Sequence, residues 1–336
     1  MPRRIGKYTI QFEKPPVIKG FASVAGERES EGPLGKEFDR VFDDAYLGKK
    51  TFEQAESELQ KQAFEIAMSK SGVNVNEIDC LFAGDLLNQC AGSTYGVSGF
   101  GIPHIGIYGA CSTMALGLCL ASSFVEGGLA GQAAAVTSSH FCSSERQFRY
   151  PLEYGGQRTQ TAQWTVTGAG AVIIGTDGGN IKVKSATFGR ITDLGITDVN
   201  NMGAAMAPAA ASTILTYLSD TGTAPGDYDM ILTGDLGKVG SRLVCELTQA
   251  EGVDISRVHA DCGLNIFHLN DQDVHSGGSG CGCSASVLCS RILRQLSDGT
   301  LKNVLFCATG SLHSPTTVFQ GMTIPGIAHL AHLSSD

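Results

Sequence analysis

Residues 108–128, YGACSTMALGLCLASSFVEGG, close a short apolar strand on a glycine, turn, and set Cys111 at the mouth of a helix predicted over 112–126. A helix N-terminus offers unpaired backbone N–H groups and about half a unit of positive charge, which lowers a thiol's pKa or binds an anion. On its own the stretch leaves two readings open: Cys111 is a nucleophile on an elbow, or a small buried residue among small neighbours.

Working outward, the spacing predicts alternating strands and helices. Residues 52–68 place Phe52, Ala55, Leu59, Ala63, Ile66 and Ala67 on one face of an amphipathic helix. IDCLFAGDLLNQ reads as a buried strand running into a polar tip at Asp85, and IGIYGA and QAAAVTSSH read as further strands. VTGAGAVIIGT and IKVKSATFGR are expected to form an antiparallel pair around the turn DGGN. The pattern then repeats. Pro208 suits the first turn of a helix carrying Ala211, Ile214, Leu215 and Leu218; YDMILTGDLG is a strand and polar tip, GGSGCGCSASVLCSRIL a glycine turn into a helix, and NVLFCATGS a strand. LFAGDLL (81–87) matches ILTGDLG (231–237), and GACSTMALGLCLAS matches GCGCSASVLCS, in the same order. The expectation is an internally duplicated α/β chain, with halves at 1–190 and 191–336 and a ligand at their junction.

Bulk properties bound the function. The 336 residues carry 24 Lys+Arg against 33 Asp+Glu, a formal charge of −9, with no basic run, so nucleic acid is not an expected partner. No signal peptide and no transmembrane segment is expected, and a soluble chain follows. The 11 cysteines form no C-x-x-C pair, and Cys80, Cys119, Cys289 and Cys307 lie in apolar runs, which points to a reducing compartment. CGC (281–283) and HLAH (329–332) lack partners at zinc-like spacing, so no metal site is expected. GGSGCG and GDLGKVGS miss the dinucleotide and phosphate-loop spacings, so no nucleotide cofactor is expected.

Duplicated halves with G-A-C-S on an elbow resemble the thiolase fold, shared by thiolases and ketoacyl synthases. Within it the chain is similar to the stage V sporulation protein AD family. The stretches that carry this include GPLGKEFD (32–39), AGDLLNQ (83–89), TSSH (137–140), ERQFRYPLEYGGQ (145–157), DLGITD (193–198), MGAAMAPAAA, DCGL (261–264), GGSGCGCSA and ATGSLHSPT, spread almost end to end. The resemblance implies two similar halves in an αβαβα arrangement and a homodimer. It also implies a non-catalytic role: binding dipicolinic acid, a pyridine dicarboxylate, alone or as its calcium chelate, for uptake into the developing spore. The place implied is the cytoplasmic side of the membrane around that spore, peripheral to it, with integral membrane SpoVA-type partners.

Condensing enzymes of this fold need, besides the thiol, one or two histidines, or a histidine with an asparagine, from the second half. Where ketoacyl synthases carry the histidine this chain has Asp235, and where they carry the asparagine it reads GGSGCGC. An ionised aspartate near Cys111 would raise the thiol pKa, so no enzyme is expected. If the chain is one, Cys111 acts with His275 or His313. For a dicarboxylate, the helix start at Cys111, Ser112 and Thr113 would supply N–H donors, Arg146 and Arg149 would grip carboxylates, and Tyr150 or Phe148 would stack on the ring. Alternatively the arginines answer Glu145 and Glu153 in a strap. His140 is expected at the pocket floor as a donor to a carboxylate, or else as a turn histidine satisfied locally, and Ser139 and Asn88 are expected among the ligand-binding residues. Asp85 and Asp235, at equivalent tips, either order their own turns or help hold calcium. Acyl transfer through Cys111, and a scaffold for membrane partners with no ligand of its own, remain as alternative functions.

Overall fold

The computed structural model describes residues 2–148 and 158–335. Ten main strands are labelled here in chain order. The first five are β1 Val17–Ala25, β2 Cys80–Gly84, β3 His104–Gly106, β4 Gln132–Ser139 and β5 Gly168–Gly175. The second five are β6 Ile181–Phe188, β7 Met230–Thr233, β8 His259–Asp261, β9 Asn303–Ser311 and β10 Gly326–Ser334. They hydrogen-bond in the order β3-β2-β4-β5-β1-β6-β10-β9-β7-β8, so the second five mirror the first. The matches read from the sequence fall on equivalent places in this order, and β6 groups with the later strands.

In each half the two outer pairings are parallel and the inner ones antiparallel. The antiparallel pair expected around DGGN does not form: β5 pairs with β1 and β4, while β6 pairs with β10 and the short strand Thr9–Gln11 and touches one end of β1. The N-terminal strand β1, apolar on both faces, takes the place between them, so DGGN crosses from one half to the other.

The longer helices among the described residues pack on this frame: α1 Phe52–Ser71, α2 Ala91–Val97, α3 Thr113–Glu126, α4 Phe141–Phe148, α5 Met202–Thr221, α6 Gly237–Ala250 and α7 Cys281–Val287, the last continuing as one rod to Ser297. Strand alternation sorts the core into three clusters. Phe82, Val172, Phe306 and Leu333 point inward and bury Met114 and Leu118 of α3 and Ala285 and Leu288 of α7. Their strand neighbours Leu81 and Ile173 point the other way, onto Leu59 and Phe64 of α1. Ile231 and Leu305 do the same onto Ile214 and Tyr217 of α5. Helix, half-sheet, central helices, half-sheet, helix is the αβαβα layering, and strands buried on both faces explain their near-continuous apolar runs.

Helix limits follow from caps. Thr51 accepts the Gln54 N–H at 3.3 Å to start α1, and Gly72, in the left-handed region at φ +68°, ends it. Pro208 is not in the first turn of α5: Asn201 caps that helix six residues earlier than the proline implied, and Pro208 lies inside it. Among the described residues no helix is long and apolar enough to cross a membrane.

Candidate functional site

The elbow is built by small residues and inward-turned hydroxyls. Ala110 sits at φ +50°, a conformation costing a non-glycine residue on the order of 1 kcal/mol. The hydroxyl of Ser112 donates to the Gly109 carbonyl at 2.6 Å; that of Thr113 donates to the Ala110 carbonyl at 2.6 Å and accepts the Gly109 N–H at 3.1 Å. From β9, Gly310 presses so close that a Cβ there would lie 2.3 Å from the Gly109 oxygen. This bracing corrects one expectation. The N–H groups of Ser112 and Thr113 donate to Gly109 and Ala110, at 3.0 and 3.3 Å, and do not face a ligand.

Cys111 is 5% exposed, and the Asp235 carboxylate acts on its thiol at close range. Burial first, then the Asp235 charge, holds the thiol well above its ordinary range, outweighing the Gly280 N–H and Ser279, which pull the other way. Asp235 is fully buried. One of its oxygens accepts the Gly280 N–H at 2.9 Å and the Ser279 hydroxyl at 3.2 Å, and the other accepts the Thr309 hydroxyl at 2.9 Å. Burial pushes its carboxyl up to about 7, with the charge of Asp261 adding and the bonds from Cys111, Gly280 and Thr309 subtracting. The parallel pairing of Trp164–Thr165 with Gly278–Ser279 brings Ser279 and Gly280 to this floor.

Above the floor a narrow inner pocket of about 40 Å³ opens into an outer chamber of about 430 Å³; Leu86, Tyr108, Phe148 and His313 line both. The rings of Phe148 and His313 are 5.6 Å apart. In the inner pocket the Ser144 hydroxyl is buried and, among the described residues, has no hydrogen-bond partner, so it offers an unused donor. Glu145 stands in the same wall, accepts the Thr165 hydroxyl at 2.9 Å and lies 3.9 Å from the Arg158 guanidinium.

The other predicted site residues divide. Asn88 reaches the outer chamber, its N–H donating to the Gln147 side chain at 3.2 Å. Asp85 orders its own turn, accepting the N–H groups of Leu87 and Ser93 at 2.8 and 2.7 Å and the Ser93 hydroxyl at 2.5 Å, so it does not face the cleft. Asp235 has no such role. In the second half that job passes to Asp261, which accepts from Leu236, Gly237 and Thr233.

His140 is not at the pocket floor, and Ser139 does not turn to the ligand cleft. Ser139 donates to the Val166 carbonyl at 2.7 Å and accepts the Gly282 N–H at 3.0 Å. His140 bonds to the Ala45 carbonyl through Nε2 at 2.7 Å and accepts the Cys142 N–H on Nδ1. Arg146 turns outward, paired with Glu53 and over the Phe52 ring, so it grips no ligand in the cleft. Arg149 and Tyr150 lie outside the described residues. His275 is also away from the cleft, held by the Thr159 carbonyl and Asp273 at 2.6 and 2.9 Å, whereas His313 lines it. Sequence reasoning missed Tyr108, Thr309 and Ser279; Tyr108 and Ser279 stand in the very stretches that formed the motifs, three residues before Cys111 and one before Gly280.

An elbow cysteine where a duplicated α/β chain meets at its central helices defines the thiolase-like fold of the condensing enzymes, and solved structures agree. The tetronic acid condensing enzyme AbyA1 superposes with a TM-score of 0.61 at 17% identity over 95% of this chain and 99% of its own. The 3-oxoacyl-(acyl carrier protein) synthase III of Pseudomonas aeruginosa gives 0.56 at 13% identity over 95% and 98%. The family is narrower than the fold. The model of the stage V sporulation protein AD family matches residues 6–334, and the stage V sporulation protein AD of Bacillus subtilis (strain 168) is 47% identical over 324 residues, 96% of each chain. The chain belongs to the stage V sporulation protein AD family.

Proposed function

We propose that the cleft is a receptor for dipicolinic acid, alone or as its calcium chelate, and passes the ligand on unchanged during spore formation. The observation that carries this reading is the buried carboxylate of Asp235 acting on the Cys111 thiol, in the place where a condensing enzyme needs a proton-handling histidine. A thiol held protonated is a poor nucleophile, yet the cavity above it remains. Tyr108 and Phe148 supply aromatic faces for a planar ring, and the hydroxyl of Ser144 supplies a donor for a carboxylate. Among the described residues no group of three or more His, Cys, Asp or Glu side chains is arranged to hold a metal ion, so calcium would ride on the ligand's own carboxylates. The protein would work as a homodimer peripheral to the membrane of the developing spore, on its cytoplasmic side, beside integral membrane SpoVA-type proteins.

Calorimetric titration with dipicolinate tests the reading. One saturable site per chain is expected. Phe148→Ala weakens it about tenfold through the lost ring contact, while Arg146→Ala, whose side chain answers Glu53, leaves it within about twofold. Absence of heat with and without calcium would sink it. A second reading, acyl transfer from Cys111, is favoured by one observation: His313 lines the same inner pocket as Cys111.

A further inference from the structure

We propose that Cys245, far from the elbow in sequence and on another helix, is a modification site: His259 takes its proton and it forms a mixed disulfide with low-molecular-weight disulfides. Cys245 lies on α6, and its sulfur is 3.7 Å from Nδ1 of His259 on the edge strand β8. The other ring nitrogen, Nε2, is 2.9 Å from the Thr233 hydroxyl, and that hydroxyl donates to Asp261 at 2.7 Å. A hydroxyl has one proton to give. Because Thr233 gives it to the carboxylate, it can only accept from His259, which puts the imidazole proton on Nε2. Nδ1 then carries its lone pair toward the Cys245 sulfur. This is the arrangement of nucleophile, base and orienting group that activates a thiol.

The surroundings exclude a preformed ion pair, so the proton moves only as the sulfur attacks, and the geometry above carries the assignment. Burial lowers His259 to about 4, so the ring is neutral near neutral pH, a weaker base than a free imidazole, with its Nδ1 lone pair open to the neighbouring thiol. Burial, then Asp254 and Glu246, raises the Cys245 thiol, so it rests protonated and needs a base to react. Of the 11 cysteines, eight are buried; only Cys90, Cys142 and Cys245 are partly exposed. The Cys90 sulfur faces the Ile107 carbonyl at 3.5 Å, and among the described hydrogen bonds no imidazole reaches the sulfur of Cys90 or Cys142.

The step balances. The Cys245 S–H proton moves to Nδ1, the thiolate attacks one sulfur of the small disulfide, and the S–S bond breaks as the protein–small-molecule bond forms. The departing thiolate takes the proton back from His259, leaving one mixed disulfide and one free thiol.

Oxidised glutathione is the probe. The native chain is incubated at pH 7.5, and each cysteine's modification is followed by intact mass and peptide mapping. Cys245 is expected to react first, about tenfold faster than Cys90 or Cys142. His259→Ala slows Cys245 about tenfold, leaves Cys142 within about twofold, and is partly rescued by free imidazole. Should that variant not fold, Thr233→Val keeps the ring but removes the group that fixes its tautomer, and slows Cys245 about threefold. Faster modification of Cys90 or Cys142 in the native chain, or an unchanged Cys245 rate in the folded variant, overturns the proposal.

Discussion

Iodoacetamide at pH 7.5 leaves Cys111 unmodified while partly exposed thiols react, its rate about a hundredfold below that of a free cysteine. The reagent has a path, because Cys111 lines the inner pocket. What is missing is thiolate. Burial and the adjacent Asp235 charge both favour the protonated form, and each unit of pKa removes about nine-tenths of the remaining nucleophile. Asp235→Asn deletes the charge while preserving size, and is expected to speed Cys111 alkylation about tenfold, read by peptide mass spectrometry. Alkylation of native Cys111 as fast as Cys90 or Cys142 would show that Asp235 does not restrain it.

The same substitution gives a pH-dependent stability difference whose sign is fixed. The Asp235 carboxyl, at about 7 in the folded chain, lies above its ordinary value, so its contribution is complete below about pH 4 and is lost as pH rises through 7. Asparagine does not titrate. From pH 5.5 to 8.5 the variant therefore gains about 2 kcal/mol on the parent, or about 3 °C in melting temperature for a chain of this length. His259 and His329, both lowered to about 4 by burial, titrate alike in the two proteins and cancel. So does Glu29, pushed up to about 7, while Asp261, pushed up to about 6 and coupled to Asp235 by charge, falls in the variant and adds to the gain in the same direction. A constant gap between the two melting curves, or one that moves in the parent's favour with rising pH, contradicts the placement of a buried, titrating Asp235.

The features legible in the sequence were those encoded by short-range pattern. The elbow followed from an apolar strand, a glycine and a run of small hydroxyl residues, and Asp235 from the repeat LFAGDLL against ILTGDLG. What failed depended on partners far along the chain. The expected hairpin around DGGN lost to β1, and Pro208 fell inside a helix because Asn201 caps it earlier. Ser139, His140 and Arg146 were the right polar types near the right strand, but their side chains answer Val166, Ala45 and Glu53 instead of the cleft. Asp85 and Asp235 share a sequence position in the repeat, yet Ser93 occupies the first and Cys111 the second, which no local pattern distinguishes.

The proposed receptor role requires that Cys111 sit on a nucleophile's elbow without a group to ionise it. Intact-mass measurement after incubation with acyl-coenzyme A thioesters of several chain lengths tests that most directly. The chain is expected to remain at its unmodified 35.2 kDa with every thioester. One acyl group per chain, mapped to Cys111, would contradict it.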